Sequence, residues 1–248
     1  MSDYIEKVPE DGVTYTWHNA TRIFEQTTKR GTVLEFIYRP GWGLACYMNG
    51  SIQSCEIDEQ VYHEALVNPV LEGLTPCRVA VFGGGEGATV REVLKRDSVT
   101  SVDMIDWDEE VVTTFRTRFV QWSLRNVVGE KVSGWDDLRL HLHFEDAFER
   151  VQHIPDEPYD AVIIDMFDVD DTTVYSCVAF LEQAAKWTRK RIGMYVATHT
   201  PFVRLEDPVL MKLGNVLKNM GFKTRILSTY IPSFHGYSVF LLGESERE

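Results

Sequence analysis

The stretch Arg78-Val79-Ala80-Val81-Phe82-Gly83-Gly84-Gly85-Glu86-Gly87-Ala88 decides how the chain folds. Arg78–Phe82 is a short, nearly continuous apolar run, the pattern of a strand buried on both faces of a sheet. It passes directly into a glycine-rich turn and then into Ala88–Arg96, which reads as a helix. Strand, glycine turn and helix in that order open a doubly wound α/β sheet. The glycines let the backbone turn tightly and leave room for a nucleoside against it.

Downstream the same alternation continues. Strand Ser101–Ile105 is followed by helix Glu109–Trp122, a polar insertion Asn126–Asp137 and strand Leu138–His143. Strand Tyr159–Ile164, helix Val174–Arg189, strand Gly193–Thr198 and helix Pro208–Met220 follow, then β segments Lys223–Tyr230 and Tyr237–Leu242. Such alternation implies a mostly parallel, Rossmann-like sheet of the methyltransferase type, with ligands at the carboxyl ends of its strands. Upstream, residues 13 to 55 are rich in Thr, Tyr, Ile and Val and are broken by Gly31, Pro40, Gly41, Gly43 and Gly50. Thr32–Tyr38, Leu44–Met48 and Ser51–Cys55 read as short strands, the last two joined by an Asn49-Gly50 hairpin turn. Glu59–Leu71 suits a helix. The expected division is a β-rich N-terminal region, 1–57, and a nucleoside-binding catalytic domain, 58–248.

Composition narrows the function. The chain has 248 residues, of which 44% are hydrophobic, enough to bury a core of ordinary size. With 38 acids against 25 bases the net charge is −13. Such a surface repels nucleic-acid phosphates and anionic membranes and favours cationic small molecules. Cys46, Cys55, Cys77 and Cys177 form no C-x-x-C pair, as expected of reduced cysteines in or near a core. Met1–Glu10 carries no apolar signal segment, and no stretch reaches the roughly 18 apolar residues of a membrane helix. A cytoplasmic, soluble protein is expected.

Several acids sit where chemistry is expected. Asp106 ends the second parallel strand about 20 residues after the glycine turn, the offset of an acid that accepts hydrogen bonds from ribose hydroxyls. The turn admits two readings, a nicotinamide dinucleotide or an adenosylmethionine-type ligand. Glu86 favours the second, because a carboxylate is repelled by a pyrophosphate and attracted by a sulfonium or an ammonium. Asp146, followed by Ala147, closes strand Leu138–His143, where an acid can accept from an adenine amino group. Asp165 and Asp168 stand at the mouth of Tyr159–Ile164, extended by Asp170 and Asp171. Clustered carboxylates call for a polyvalent cation. No histidine or cysteine lies at ligand spacing nearby, so a metal is not the expected cation. A primary amine with a pKa of about 10 must lose a proton before it attacks. Asp165 is the candidate base, assisted by the Tyr62 phenol, with Glu86 and Asp168 positioning the amines.

Asn49-Gly50-Ser51-Ile52-Gln53-Ser54-Cys55-Glu56-Ile57-Asp58-Glu59-Gln60-Val61-Tyr62-His63-Glu64 closely resembles the DG-x-x-Q-x-x-E-x-DE-x-x-YHE stretch of the spermidine and spermine synthases. Gly83–Gly87 with Arg91-Glu92, then Asp106-Trp107-Asp108-Glu109, Asp146-Ala147 and the Asp165/Asp168 pair, follow in the family's order. The resemblance covers roughly residues 30 to 243. It implies transfer of an aminopropyl group from decarboxylated S-adenosylmethionine to a polyamine, spermidine or putrescine. That donor is a co-substrate, and no cofactor is tightly bound. Gly83, Gly85, Asp106, Trp107, Asp146 and Ala147 would bind the nucleoside, and Gln53, His63, Glu86, Asp168 and Tyr237 the amine. Assembly as a homodimer or homotetramer is implied by analogy.

Glu86, where most spermidine synthases have Asp, and Ile231-Pro232-Ser233-Phe234 look more like thermospermine synthases and tilt the reading towards a longer acceptor. Val169 stands where the family has Pro, Thr198 replaces a glutamine, and the segment after Phe234 is about two residues short. These departures bear on the acceptor rather than the donor. An S-adenosylmethionine-dependent methyltransferase and a non-catalytic polyamine-binding relative stay open as alternatives. The His141/His143 pair lacks a third ligand and is expected to be partly exposed rather than metal-bound.

Overall fold

The computed structural model of the protein describes residues 2–8, 12–166, 169, 172–200 and 206–246. Strands β1 (Ser2–Val8), β2 (Val13–Thr27), β3 (Val33–Arg39), β4 (Gly43–Met48) and β5 (Ser51–Cys55) form a five-stranded antiparallel sheet in chain order. Three of these match the expected segments. Strand β2 falls in the β-rich stretch from residue 13 without having been delimited as a strand, and β1 lies ahead of it.

The rest alternates. After α1 (Glu59–Leu71) come β6 (Cys77–Gly83), α2 (Ala88–Leu94), β7 (Val99–Asp106) and α3 (Glu109–Arg118). A hairpin follows, β8 (Leu124–Val127) and β9 (Glu130–Ser133), where only a polar insertion was expected. Val128 and Gly129 both have positive φ, which closes this hairpin with the twist a two-residue turn requires. Then come β10 (Leu140–Phe144), α4 (Ala147–Arg150), β11 (Tyr159–Asp165), α5 (Val174–Trp187), β12 (Thr188–Thr200), α6 (Pro208–Asn219), β13 (Phe222–Ile231) and β14 (Gly236–Ser245).

The seven-stranded sheet runs β10-β7-β6-β11-β12-β14-β13, with β14 antiparallel to both neighbours and the remaining pairs parallel. This is the doubly wound, mostly parallel arrangement the sequence implies. Strand order reverses between β6 and β11, so a crevice opens at their carboxyl ends.

Alternation along β6 separates two cores. Val79 and Val81 face Leu66, Val67 and Val70 of α1 and Phe115 of α3. Ala80 and Phe82 face Phe180, Leu181 and Trp187 of α5 and Leu213 of α6. Leu34, Phe36, Leu44 and Cys46 of the N-terminal sheet belong to the first core, and Phe36 stacks on Phe119. One face of that sheet is therefore fused to the α/β layer. Truncating a fully buried aromatic such as Phe36 costs about 3–5 kcal/mol. All four cysteines are buried and no disulfide joins them. Among the described residues no helix is long and apolar enough to cross a membrane.

Candidate active site

The β6–α2 turn is shaped by close approach. Gly83 has φ +80°, and a Cβ there would lie 2.1 Å from the carbonyl oxygen of Asp165. Gly84 N donates to that same oxygen at 3.0 Å, so the turn is sewn to the end of β11. A Cβ on Gly85 would fall 2.7 Å from Asp106 Oδ2. The glycines thus let two acid-bearing strand ends crowd against one loop.

A cavity of about 710 Å³ opens over this turn, within the size range of small-molecule sites. On the β7 and β10 side it is walled by Thr32, Asp106, Trp107, Asp146 and Ala147. Trp107 is half-exposed, with the Arg30 guanidinium 5.2 Å from its ring centre. Asp146 caps α4 by accepting from Phe148 N at 2.7 Å. Asp106 accepts from Asp108 N at 3.0 Å, and burial pushes its carboxyl up to about 6. Asp108 is itself buried. It caps α3 through Glu110 N and Val111 N, and accepts the hydroxyls of Thr28 at 2.6 Å and Thr32 at 2.9 Å. The turn between β2 and β3 is so fastened beside Trp107.

On the other side the walls are Gln53, Tyr62, His63, Glu86, Asp165, Tyr195 and Phe234. Tyr62 projects from α1, is buried among Tyr195, Phe234 and Phe240, and donates its phenol proton to Asp165 Oδ1 at 2.8 Å. Thr89 Oγ1 donates to Asp165 Oδ2. Glu86 is buried with Oε2 unpartnered, and burial pushes its carboxyl up to about 7. His63 Nδ1 lies 3.1 Å from Glu59 Oε2, and Arg91 grips both Glu59 oxygens at 2.8 and 2.9 Å. Burial opposes charging of His63, but the Glu59 bond and the neighbouring Glu59, Asp165 and Glu86 charges outweigh it and raise its pKa. Burial likewise disfavours the Glu59 anion, yet His63 and Arg91 hold it down at about 2. The cavity wall thus carries Glu86 and Asp165 beside a firmly held imidazole. Carboxylates lining a crevice suit a cationic ligand.

The structure brings together Gln53, Tyr62, His63, Gly83, Gly85, Glu86, Asp106, Trp107, Asp146, Ala147 and Asp165 around the one cavity. Tyr237 is not brought there. Its ring packs against Tyr230 at 5.4 Å, on the pairing of β13 with β14. Asp168, Asp170 and Asp171 lie outside the described residues, as do the side chains of Thr198 and His199. Thr89, Glu59, Arg91 and Asp108 were not expected as supports of the site. Their partners lie 32 to 80 residues away in the chain; Glu59, Arg91 and Asp108 fall inside the quoted motifs, whereas Thr89 left no signal. His143 pairs with Asp103 at 2.8 Å, and no cluster of metal-ligating side chains occurs among the described residues.

The family model of the spermine/spermidine synthase domain matches residues 59–248. The chain belongs to this family. A polyamine aminopropyltransferase of Saccharolobus solfataricus is 34% identical over 217 residues, 86% of this chain and 67% of that protein. Polyamine aminopropyltransferase 2 of Bacillus cereus is 32% identical over 194 residues, 76% of this chain and 50% of that protein. The spermidine synthase of Thermotoga maritima superposes with a TM-score of 0.79 at 21% identity, over 99% of this chain and 80% of that one. A spermidine synthase solved in complex with the transition-state analogue AdoDATO gives 0.80 at 21% identity, over 99% and 81%. At that identity the superpositions establish the fold, which is that of the spermidine synthases.

Proposed function

We propose that this member of the spermine/spermidine synthase family moves the aminopropyl group of decarboxylated S-adenosylmethionine onto a polyamine, spermidine or putrescine, releasing methylthioadenosine. The observation that carries this reading is Asp165 held by Tyr62 next to buried Glu86, in a cavity whose other wall is the Asp106–Trp107–Asp146 set.

In this reading the backbone at Gly83 and Gly85 lets the nucleoside approach. Asp106 accepts from the ribose, Trp107 and Ala147 flank the adenine, and Asp146 accepts from its amino group. Glu86 and Asp168 hold ammonium groups of the acceptor, while Gln53 and His63 close the junction with the N-terminal sheet. The attacking nitrogen gives a proton to Asp165. Its lone pair then forms a bond to the propyl carbon next to the sulfonium. The carbon–sulfur bond breaks with its electrons on sulfur, leaving a neutral thioether and a new ammonium. Holding both substrates in line lowers the entropic part of the barrier, and the carboxylates stabilise the positive charge as it shifts from sulfur to nitrogen. The step as drawn uses the donor as co-substrate, with no tightly bound cofactor and no metal.

A methyltransferase would use the same glycine turn and Asp106, but it has no use for the Tyr62–Asp165–Glu86 group, and the relatives above carry aminopropyltransferase names. A cytoplasmic homodimer or homotetramer completes the reading, and light scattering reads the assembly directly. The test is incubation with decarboxylated S-adenosylmethionine and putrescine, agmatine, spermidine or no acceptor, with products followed by mass spectrometry. Methylthioadenosine formed only with a particular amine, and lost in Asp165→Asn, is the expected result. Amine binding without turnover for every acceptor would overturn it in favour of a non-catalytic relative.

A further inference from the structure

A carboxylate at the end of a strand turns easily, because its terminal torsion has broad wells. To take a proton from a nitrogen in one fixed place, Asp165 must be held in rotation as well as in position. The backbone does the second: its carbonyl oxygen accepts from Gly84 N at 3.0 Å, and residues 165 and 83 are paired in register. Rotation needs a donor on each carboxylate oxygen. Tyr62 supplies one, to Oδ1, from α1. The other, to Oδ2, comes from the hydroxyl of Thr89 in the first turn of α2.

Thr89 is fully buried, so water cannot satisfy its hydroxyl. A helical threonine ordinarily turns its hydroxyl back to a carbonyl one turn earlier. Here it reaches across to a strand end 76 residues away. We propose that Thr89 is a positioning residue for the reaction, fixing the plane of the Asp165 carboxylate so that its remaining lone pairs meet the acceptor nitrogen. The proposal rests on Asp165 being the base. With donors arriving from two helices, the carboxylate plane is set by the packing of α1 on α2 rather than by local torsions. Thr89 does not line the cavity and acts only through Asp165.

Three variants and one double variant test this. Thr89→Val keeps the shape of the side chain and removes the hydroxyl. It is expected to lower kcat by about ten- to hundredfold, while the donor KM stays within about twofold and the thermal midpoint is held. Thr89→Ser, which keeps the hydroxyl, is expected to recover most of that loss. Thr89/Asp165→Val/Asn should be no slower than Asp165→Asn alone, since removing a support adds nothing once the group it supports is gone. Should the valine variant fail to fold, Thr89→Ala against Thr89→Ser gives the same comparison. Wild-type kcat in Thr89→Val with Asp165→Asn inactive overturns the proposal and leaves the base assignment standing. Loss in Thr89→Ser equal to that in Thr89→Val also overturns it, because packing rather than the hydroxyl then matters. An active Asp165→Asn enzyme would instead sink the assignment of the base.

Discussion

Replacing Glu86 by Gln is expected to stabilise the substrate-free protein above neutral pH while flattening the pH dependence of acceptor binding. Glu86 is buried, its Oε2 has no hydrogen-bond partner, and burial is the main cause of a carboxyl pushed up to about 7 from an ordinary 4.5. The His63 charge and a Ser54 bond oppose that rise, and the charges of Asp165 and Glu59 add to it. Between these two values the folded chain holds a proton that the unfolded chain has released. Stability therefore falls as pH rises from about 4.5 to about 7, by about 3 kcal/mol in all. Gln carries no charge, so the variant gains up to that amount at pH 8 and nothing near pH 4.5. An ammonium seated beside Glu86 must displace the same proton. Below pH 7 the wild-type KM for the acceptor is then expected to fall about tenfold per pH step of one and to level off above it. The Glu86 charge is one of those that raise the His63 pKa, so Gln lowers that pKa as well and the comparison reads the coupled pair. Urea unfolding at pH 5, 7 and 8, with acceptor KM over the same range, reads both effects. An equal stability difference at pH 5 and pH 8, or a KM profile that Gln leaves unchanged, would refute the reasoning.

Tyr62→Phe removes the donor to Asp165 Oδ1 while the ring keeps its packing on Tyr195, Phe234 and Phe240. Loss of about tenfold in kcat at saturating substrates is expected, and an unchanged kcat would remove the phenol from the mechanism. Asp108→Ala uncaps α3 and strands two buried threonine hydroxyls. It is expected to cost about 2–4 kcal/mol in urea unfolding and to weaken donor binding by loosening the turn beside Trp107. Wild-type stability would show that the Thr28–Thr32 turn does not depend on it.

The nucleoside half of the site was legible because its signals are local. A strand, a glycine turn and an acid at the next strand end lie within one βαβ unit, and Gly83, Gly85 and Asp106 meet as that unit requires. The motif from Gln53 to His63 pointed to a single wall, and α1 delivers Tyr62 and His63 to it. Strand β1 and the bounds of β2 are not legible because they offer no buried run: of the described side chains in β2 only Ala20 is buried. Their order comes from pairing and from Trp17 and Tyr47 closing on Glu6 and Arg39, contacts no window of sequence contains. The hairpin β8–β9 reads as polar because only Arg125 of its strand residues is buried and none of its buried positions is apolar, although Gly129 marks its turn. Asp58 shows the same limit. It precedes α1 as a cap should, yet its carboxylate accepts instead from Ser233 N and Oγ, 175 residues on. Tyr237 was placed in the amine pocket by resemblance alone, and the register of β14 with β13 sets it against Tyr230.

The central claim turns on which carbon the donor surrenders. Purified protein supplied with spermidine and either decarboxylated S-adenosylmethionine or S-adenosylmethionine separates the two outcomes in one experiment, with nucleoside products resolved by mass spectrometry. Methylthioadenosine and a polyamine longer by one aminopropyl unit, formed from the decarboxylated donor alone, is the predicted result. S-adenosylhomocysteine and a methylated amine, formed from S-adenosylmethionine, would contradict it.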